Sequence, residues 1–77
     1  MIIHEHDTVV LTRDVPEHKL RSGDVGAVVH VYEDEKAYEV EFVTGSGQTI
    51  ALETFASADI RPLGDSDILH IRNVAAA

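Results

Sequence analysis

The chain has 77 residues, enough for one domain with a thin core and little room for a deep catalytic pocket. It contains no cysteine, which excludes disulfides, thiolate nucleophiles and cysteine-based metal sites. Fourteen acidic residues face six lysines and arginines, and the resulting net charge of -8 argues against nucleic-acid binding and favours a basic protein partner or simple solubility.

Strand signals dominate the first half of the chain. Residues 7–12 are rich in β-branched side chains and predict a first strand. A long polar loop follows at 13–24, and its one large apolar residue after Val15, Leu20, is expected to fold back onto the core. Residues 25–32 predict the second strand, in which the early Gly26 indicates a bulge or a close backbone approach.

The third strand has the clearest pattern in the chain. Tyr38, Val40 and Phe42 alternate with Glu39 and Glu41. Because successive side chains of a strand point to opposite faces, this alternation predicts a half-buried antiparallel strand with its acidic residues outward.

The second half of the domain predicts a hairpin turn at 45–47, a fourth strand at 48–52, a single 3₁₀ turn within 54–59 and a last strand at 60–63. Pro62 confines that last strand to an edge or a strand end. Five short antiparallel strands with a 3₁₀ turn before the last predict an all-β domain, a small barrel over residues 1–63. Residues 64–77 form a separate C-terminal tail, whose apolar stretch 68–74 is compatible with an extra strand, a short helix or a partner-binding segment.

Three segments also carry a family resemblance. They are the aspartate-led strand at 7–11, the Gly-Asp-x-Gly-x-Val turn beginning at Gly23, and the Tyr-x-Val-x-Phe strand beginning at Tyr38. Over about residues 5–63 the chain resembles a family of short bacterial proteins, frequent in cyanobacteria and classed as a domain of unknown function. The tail departs from the family's pattern.

The resemblance implies an SH3-like barrel, similar to the KOW motif of ribosomal and transcription-elongation proteins. It also implies similarity to the barrel of the nitrile hydratase β subunit and its small activators. For function, it implies a small partner of a neighbouring protein, as in toxin–antitoxin or immunity pairs.

The candidate binding residues form an acidic group and an apolar group. The acidic residues are expected to stay ionised, which does not suit general acid–base catalysis, because that chemistry needs two carboxylates whose pKa values differ through burial. They form either a solvated face or a stripe for a basic partner. His30 and Tyr32 share one face of the second strand, as a binding face or as simple packing. The full predicted partner-binding set is Glu39, Glu41, Glu33, Asp34, Tyr32, His30, Ile68 and Ile71.

Metal binding has one weak candidate. His4 and His6 would share a face if they lay on a strand and could then chelate a metal; the alternative is a solvated chain end. We predict no cofactor. No serine lies in a nucleophile elbow and no phosphate loop is present, so we expect a protein that is not an enzyme.

These observations predict a non-catalytic protein-binding module, an antitoxin-like or immunity-like partner of a more basic protein. The alternatives are a KOW-type nucleic-acid-binding barrel and an accessory or metallochaperone protein resembling nitrile hydratase activators.

No signal peptide or membrane-spanning stretch is visible, so a cytoplasmic location is expected. The exposed apolar tail would allow a homodimer, and its small apolar end at 74–77 resembles termini that ATP-dependent proteases recognise.

Overall fold

The computed structural model describes residues 2–75, which form a single antiparallel sheet of five strands. The strands are Thr8–Leu11 (β1), Val25–Val31 (β2), Ala37–Val43 (β3), Thr49–Ala56 (β4) and Ile60–Pro62 (β5). Their order in the sheet is β4-β3-β2-β1-β5, and 3₁₀ turns occupy Pro16–His18 and Ser57–Asp59. The predicted class, all-β with five antiparallel strands and a 3₁₀ turn before the last, is confirmed.

The core lies on one face of the sheet, and β3 supplies its centre. Tyr38, Val40 and Phe42 are 2%, 0% and 3% exposed, which confirms the predicted alternation. Every strand contributes to the same buried cluster, so the sheet must curl around its own inner face in a barrel-like manner. The remaining core residues on strands are Val9, Leu11, Val28, Ala51, Phe55 and Ile60.

Gly26 confirms the predicted close backbone approach. A Cβ at this position would lie 2.7 Å from Val40 Cγ1 and 2.9 Å from the Glu41 carbonyl oxygen. The irregularity in the β2–β3 ladder lies further along, where the register shifts between Val28 and His30. The bulge therefore re-aims the end of β2, and the glycine serves the packing of β2 against β3.

The loop between β1 and β2 is ordered by apolar contacts as well as by turns. Leu20 is 3% exposed and forms a bridge with Val15, so the prediction that it folds onto the core is confirmed. The 3₁₀ turn between these two residues was not predicted. It ends at His18 and is followed by Lys19, which adopts a left-handed conformation with φ of 61°.

The prediction for β4 needs a correction. Residues 54–56 belong to this strand and not to the 3₁₀ turn, because Phe55 is buried in register with Tyr38 on β3. The 3₁₀ turn itself is limited to Ser57–Asp59. The expected edge position of Pro62 is confirmed, since β5 pairs with β1 alone and ends the sheet.

The tail adds no element to the sheet. Residues 64–75 contain neither helix nor strand. Ala76 and Ala77, on which the protease-recognition hypothesis depends, lie outside the described residues. No helix formed by residues 2–75 has the length and apolar character that crossing a bilayer requires.

The contact of Gly26 with β3 predicts a matched pair of variants. Gly26→Ala should lower the free energy of unfolding by about 1–3 kcal/mol, because the new methyl group must displace Val40 or the Glu41 carbonyl. Gly45→Ala, at a position with no atom within 4 Å of the new methyl group, should change it by less than about 0.5 kcal/mol. Urea denaturation measures both, and equal effects would contradict the packing role of Gly26.

Candidate functional site

The outer face of β3 carries two acidic side chains. Glu39 lies opposite His30 on β2 and Thr54 on β4, and Glu41 lies opposite Ala27 and Leu52. Both glutamates are half-buried by these neighbours. The same alternation that buries Tyr38 and Phe42 thus presents Glu39 and Glu41 outward on a strand that is paired along both edges.

His30 and Tyr32 extend this face at the end of β2. Their rings lie edge to face with centroids 4.7 Å apart, and both side chains remain exposed. His30 Nδ1 lies 3.8 Å from Glu5 Oε1, so the N-terminal segment brings a further carboxylate to the same place. The two rings pack on each other, which leaves Tyr32 38% exposed beside the acidic residues.

The turn between β2 and β3 adds three exposed acidic residues, Glu33, Asp34 and Glu35. The turn is fixed by its backbone: Glu35 has a φ of 56°, and its carbonyl accepts a hydrogen bond of 2.9 Å from the Tyr38 hydroxyl. We call the combined region the acidic surface; its residues are Glu5, His30, Tyr32, Glu33, Asp34, Glu35, Glu39 and Glu41.

Three of the six lysines and arginines form ion pairs outside the acidic surface. Arg13 pairs with Asp59, Arg61 with Asp67 and Arg72 with Asp24. Within residues 2–75, the six carboxylates of the acidic surface have no lysine or arginine side-chain nitrogen within 4.0 Å. Lys36 lies in the same turn, and its backbone N–H donates to Asp34 Oδ1 at 3.0 Å.

The predicted metal candidates are not brought together as the sequence suggested. His6 has a φ of 73° and its N–H donates to the Val28 carbonyl at 2.7 Å, so residues 4–6 form a turn and not a strand. The imidazoles of His4 and His6 therefore lack the shared strand face on which chelation depended. In the described part of the chain, no three histidine, aspartate or glutamate side chains gather as a metal site.

Two arginine–aspartate pairs hold the tail against the sheet. Arg61 donates two hydrogen bonds to Asp67, at 2.7 and 3.1 Å, just beyond β5. Farther along, Arg72 donates to Asp24 and to the Lys19 carbonyl, at the start of β2. Sequence reasoning missed the second pair, because 48 residues separate its members and no local pattern links them.

The predicted tail residues Ile68 and Ile71 lie on the segment between these anchors. Each is 92% exposed, and Leu69 between them is 67% exposed. They therefore do not join the core. The Arg72–Asp24 pair holds their segment at the start of β2, whereas Tyr32 and the acidic turn lie at the other end of that strand. The structure divides the predicted binding residues between two places.

A groove of about 500 Å³ separates the end of the tail from the sheet. Its floor includes Val25, Phe42, Val43 and Ile50, and the tail residues 70–74 form one wall. Val25 and Val43 are 38% and 52% exposed, so the tail leaves part of this apolar floor uncovered.

The family model described as domain of unknown function (DUF4926) matches residues 5–62, and the chain belongs to this family. The match covers all five strands and ends before the tail. No curated protein and no solved structure matches the chain.

The ion pair between Asp24 and Arg72 predicts that attachment of the tail depends on pH. Burial opposes ionisation of this carboxyl, but hydrogen bonds from Arg72 and from the Arg21 N–H outweigh it, so the pKa of Asp24 lies below its ordinary value. A lowered pKa in the folded chain means that the pair stabilises the anchored tail at neutral pH and is lost only as pH falls through that pKa, below the ordinary range of an aspartate.

The NMR signal of the Arg72 Nε–H reports this anchor directly. It should persist from neutral pH down to the ordinary range of aspartate titration and disappear only below that range. In Asp24→Asn the signal should already be shifted at neutral pH. A wild-type signal that is lost near the ordinary pKa of histidine would contradict the assignment to Asp24.

Proposed function

We propose that this member of the DUF4926 family is a non-catalytic protein-binding module that holds a basic partner against its acidic surface. The observation that supports this most strongly is the separation of charge. Acidic side chains follow the outward face of β3, its turn and the N-terminal segment beside His30, while the ion pairs of Arg13, Arg61 and Arg72 lie elsewhere.

The arrangement of Glu39 and Glu41 suits a cationic ligand. Residues two apart on a strand lie about 6.6–6.8 Å from each other, which is within the Debye length at physiological salt. Their half-buried carboxylates repel each other at reduced screening, and an arginine or lysine placed between them would relieve that repulsion.

The surroundings of these carboxylates resemble a protein interface more than a solvated face. Tyr32 and Leu52 are 38% and 48% exposed beside the charges. Exposed tyrosine is enriched among the residues that dominate interface energetics, and charged rims around such anchors give orientation and association rate. Since β3 is paired on both edges, the surface is preorganised and little entropy is lost when a partner docks.

An antitoxin-like or immunity-like role is the finer form of this proposal, and the family resemblance described above supports it. The KOW-type alternative lacks a basic surface, because three of the six cationic side chains are engaged in ion pairs within residues 2–75. The metallochaperone alternative rests on histidines that lie in a turn without a shared face.

A charge-reversal experiment tests the proposal. Glu39→Lys with Glu41→Lys should weaken capture of the natural partner by at least about tenfold, because two attractive pairs become repulsive. The matched control is Glu17→Lys with Asp65→Lys, which makes the same change in net charge at exposed sites outside the acidic surface.

The measurement is quantitative mass spectrometry of proteins retained by each tagged variant in extracts of the source cells, repeated at rising salt. The partner should be lost from the double variant and kept by the control, and it should be basic. Equal retention by the two variants, or an acidic partner, would count decisively against the acidic surface.

A further inference from the structure

We infer that the groove beneath the tail is a binding site for an extended, arginine-bearing peptide of a partner, and that Arg72 of the chain's own tail occupies its guanidinium position. The residues of this site are separate from the acidic surface, so the inference does not rest on the function proposed above.

The guanidinium position is defined by three acceptors. Arg72 Nε donates to Asp24 Oδ1 at 2.9 Å, and Arg72 Nη2 donates to Asp24 Oδ2 and to the Lys19 carbonyl, the latter at 2.8 Å. The carboxylate and the carbonyl thus receive a planar fork of N–H groups. A lysine ammonium, which lacks that fork, cannot reproduce the pattern, and the site therefore selects arginine.

The receptor half of this contact is built without the tail. Asp24 Oδ2 also accepts a hydrogen bond of 2.8 Å from the Arg21 N–H. The main chain of Asp24 is fixed in turn, since its carbonyl accepts from the Leu11 N–H at 2.9 Å at the end of β1. Lys19 is held by its left-handed turn, so both acceptors stay in place when the tail leaves.

The tail is an incomplete occupant of the groove. Among the described residues, 68–74 make no hydrogen bond from backbone to backbone. Ile71, next to the arginine, is 92% exposed and leaves Val25 and Val43 partly uncovered. A peptide with an apolar residue directed at this floor would bury surface that the tail leaves in water, and it would keep the same arginine contacts.

A peptide can occupy the groove only when it displaces the tail. A tethered segment acts at an effective concentration in the millimolar range for short linkers, so a free peptide must bind well enough to displace it. The negative charge of the chain and the carboxylate at the centre of the site favour a basic peptide as the competitor.

Fluorescence anisotropy with a labelled peptide of residues 66–75 tests this in the full-length chain. Arg72→Gln frees the guanidinium position, so it should bind the peptide at least about tenfold more tightly than the wild-type chain does. The same peptide carrying glutamine at its arginine should not bind. Arg13→Gln changes an arginine–aspartate pair that lies outside the tail and the groove, the pair with Asp59, and should behave as the wild type does.

The double variant Asp24→Asn, Arg72→Gln removes the receptor as well, and it should lose binding while its circular dichroism stays that of a folded sheet. Equal binding by Arg72→Gln and wild type, or binding retained in the double variant, would overturn the inference. A wild-type dimer in sedimentation that Asp24→Asn dissociates would also overturn it, because a second copy's tail would then be the occupant.

Discussion

The structure depends on the register of β3 between β2 and β4. This strand is hydrogen-bonded to a neighbour on both edges, and its alternation fixes which side chains enter the core. A slip of one residue would expose Tyr38, Val40 and Phe42 and bury Glu39 and Glu41, which costs far more than any single contact. The core and the acidic surface are therefore two consequences of one pairing.

The tail is held by a different kind of interaction. The sheet is stabilised by burial of apolar side chains from all five strands, whereas residues 64–75 are attached through the ion pairs of Arg61 and Arg72. Ion pairs that remain in contact with water contribute little to stability. Because these anchors are weak and its isoleucines stay in water, the tail can exchange with another ligand while the sheet remains intact.

Sequence patterns predicted the parts of the fold that follow from local periodicity. The alternation at 38–42, the return of Leu20 to the core and the tight approach at Gly26 each have a local physical signal, and the structure has all three. The length of β4 was missed, because the exposed Leu52 and the half-buried Glu53 break the apolar alternation and only the pairing of Phe55 with Tyr38 shows that the strand continues.

The candidate sites were predictable to a smaller extent. The outward acidic residues of β3 follow from alternation alone. The link between Asp24 and Arg72 does not, because it joins a loop to a distant tail and depends on where the chain returns in space. The pairing of His30 with Tyr32 could be expected from their spacing, but the approach of Glu5 to His30 required the fold of the N-terminal turn.

Native-state amide hydrogen exchange tests most directly whether a rigid sheet carries the acidic surface while the tail moves separately. The amides of Val40 and Val28 should exchange only through global unfolding, and those of Leu69 to Arg72 should exchange at least about a thousandfold faster. Wild type and Arg72→Gln should share the same β3 protection. Tail amides as slow as those of β3, or β3 protection that falls when Arg72 is replaced, would contradict the account.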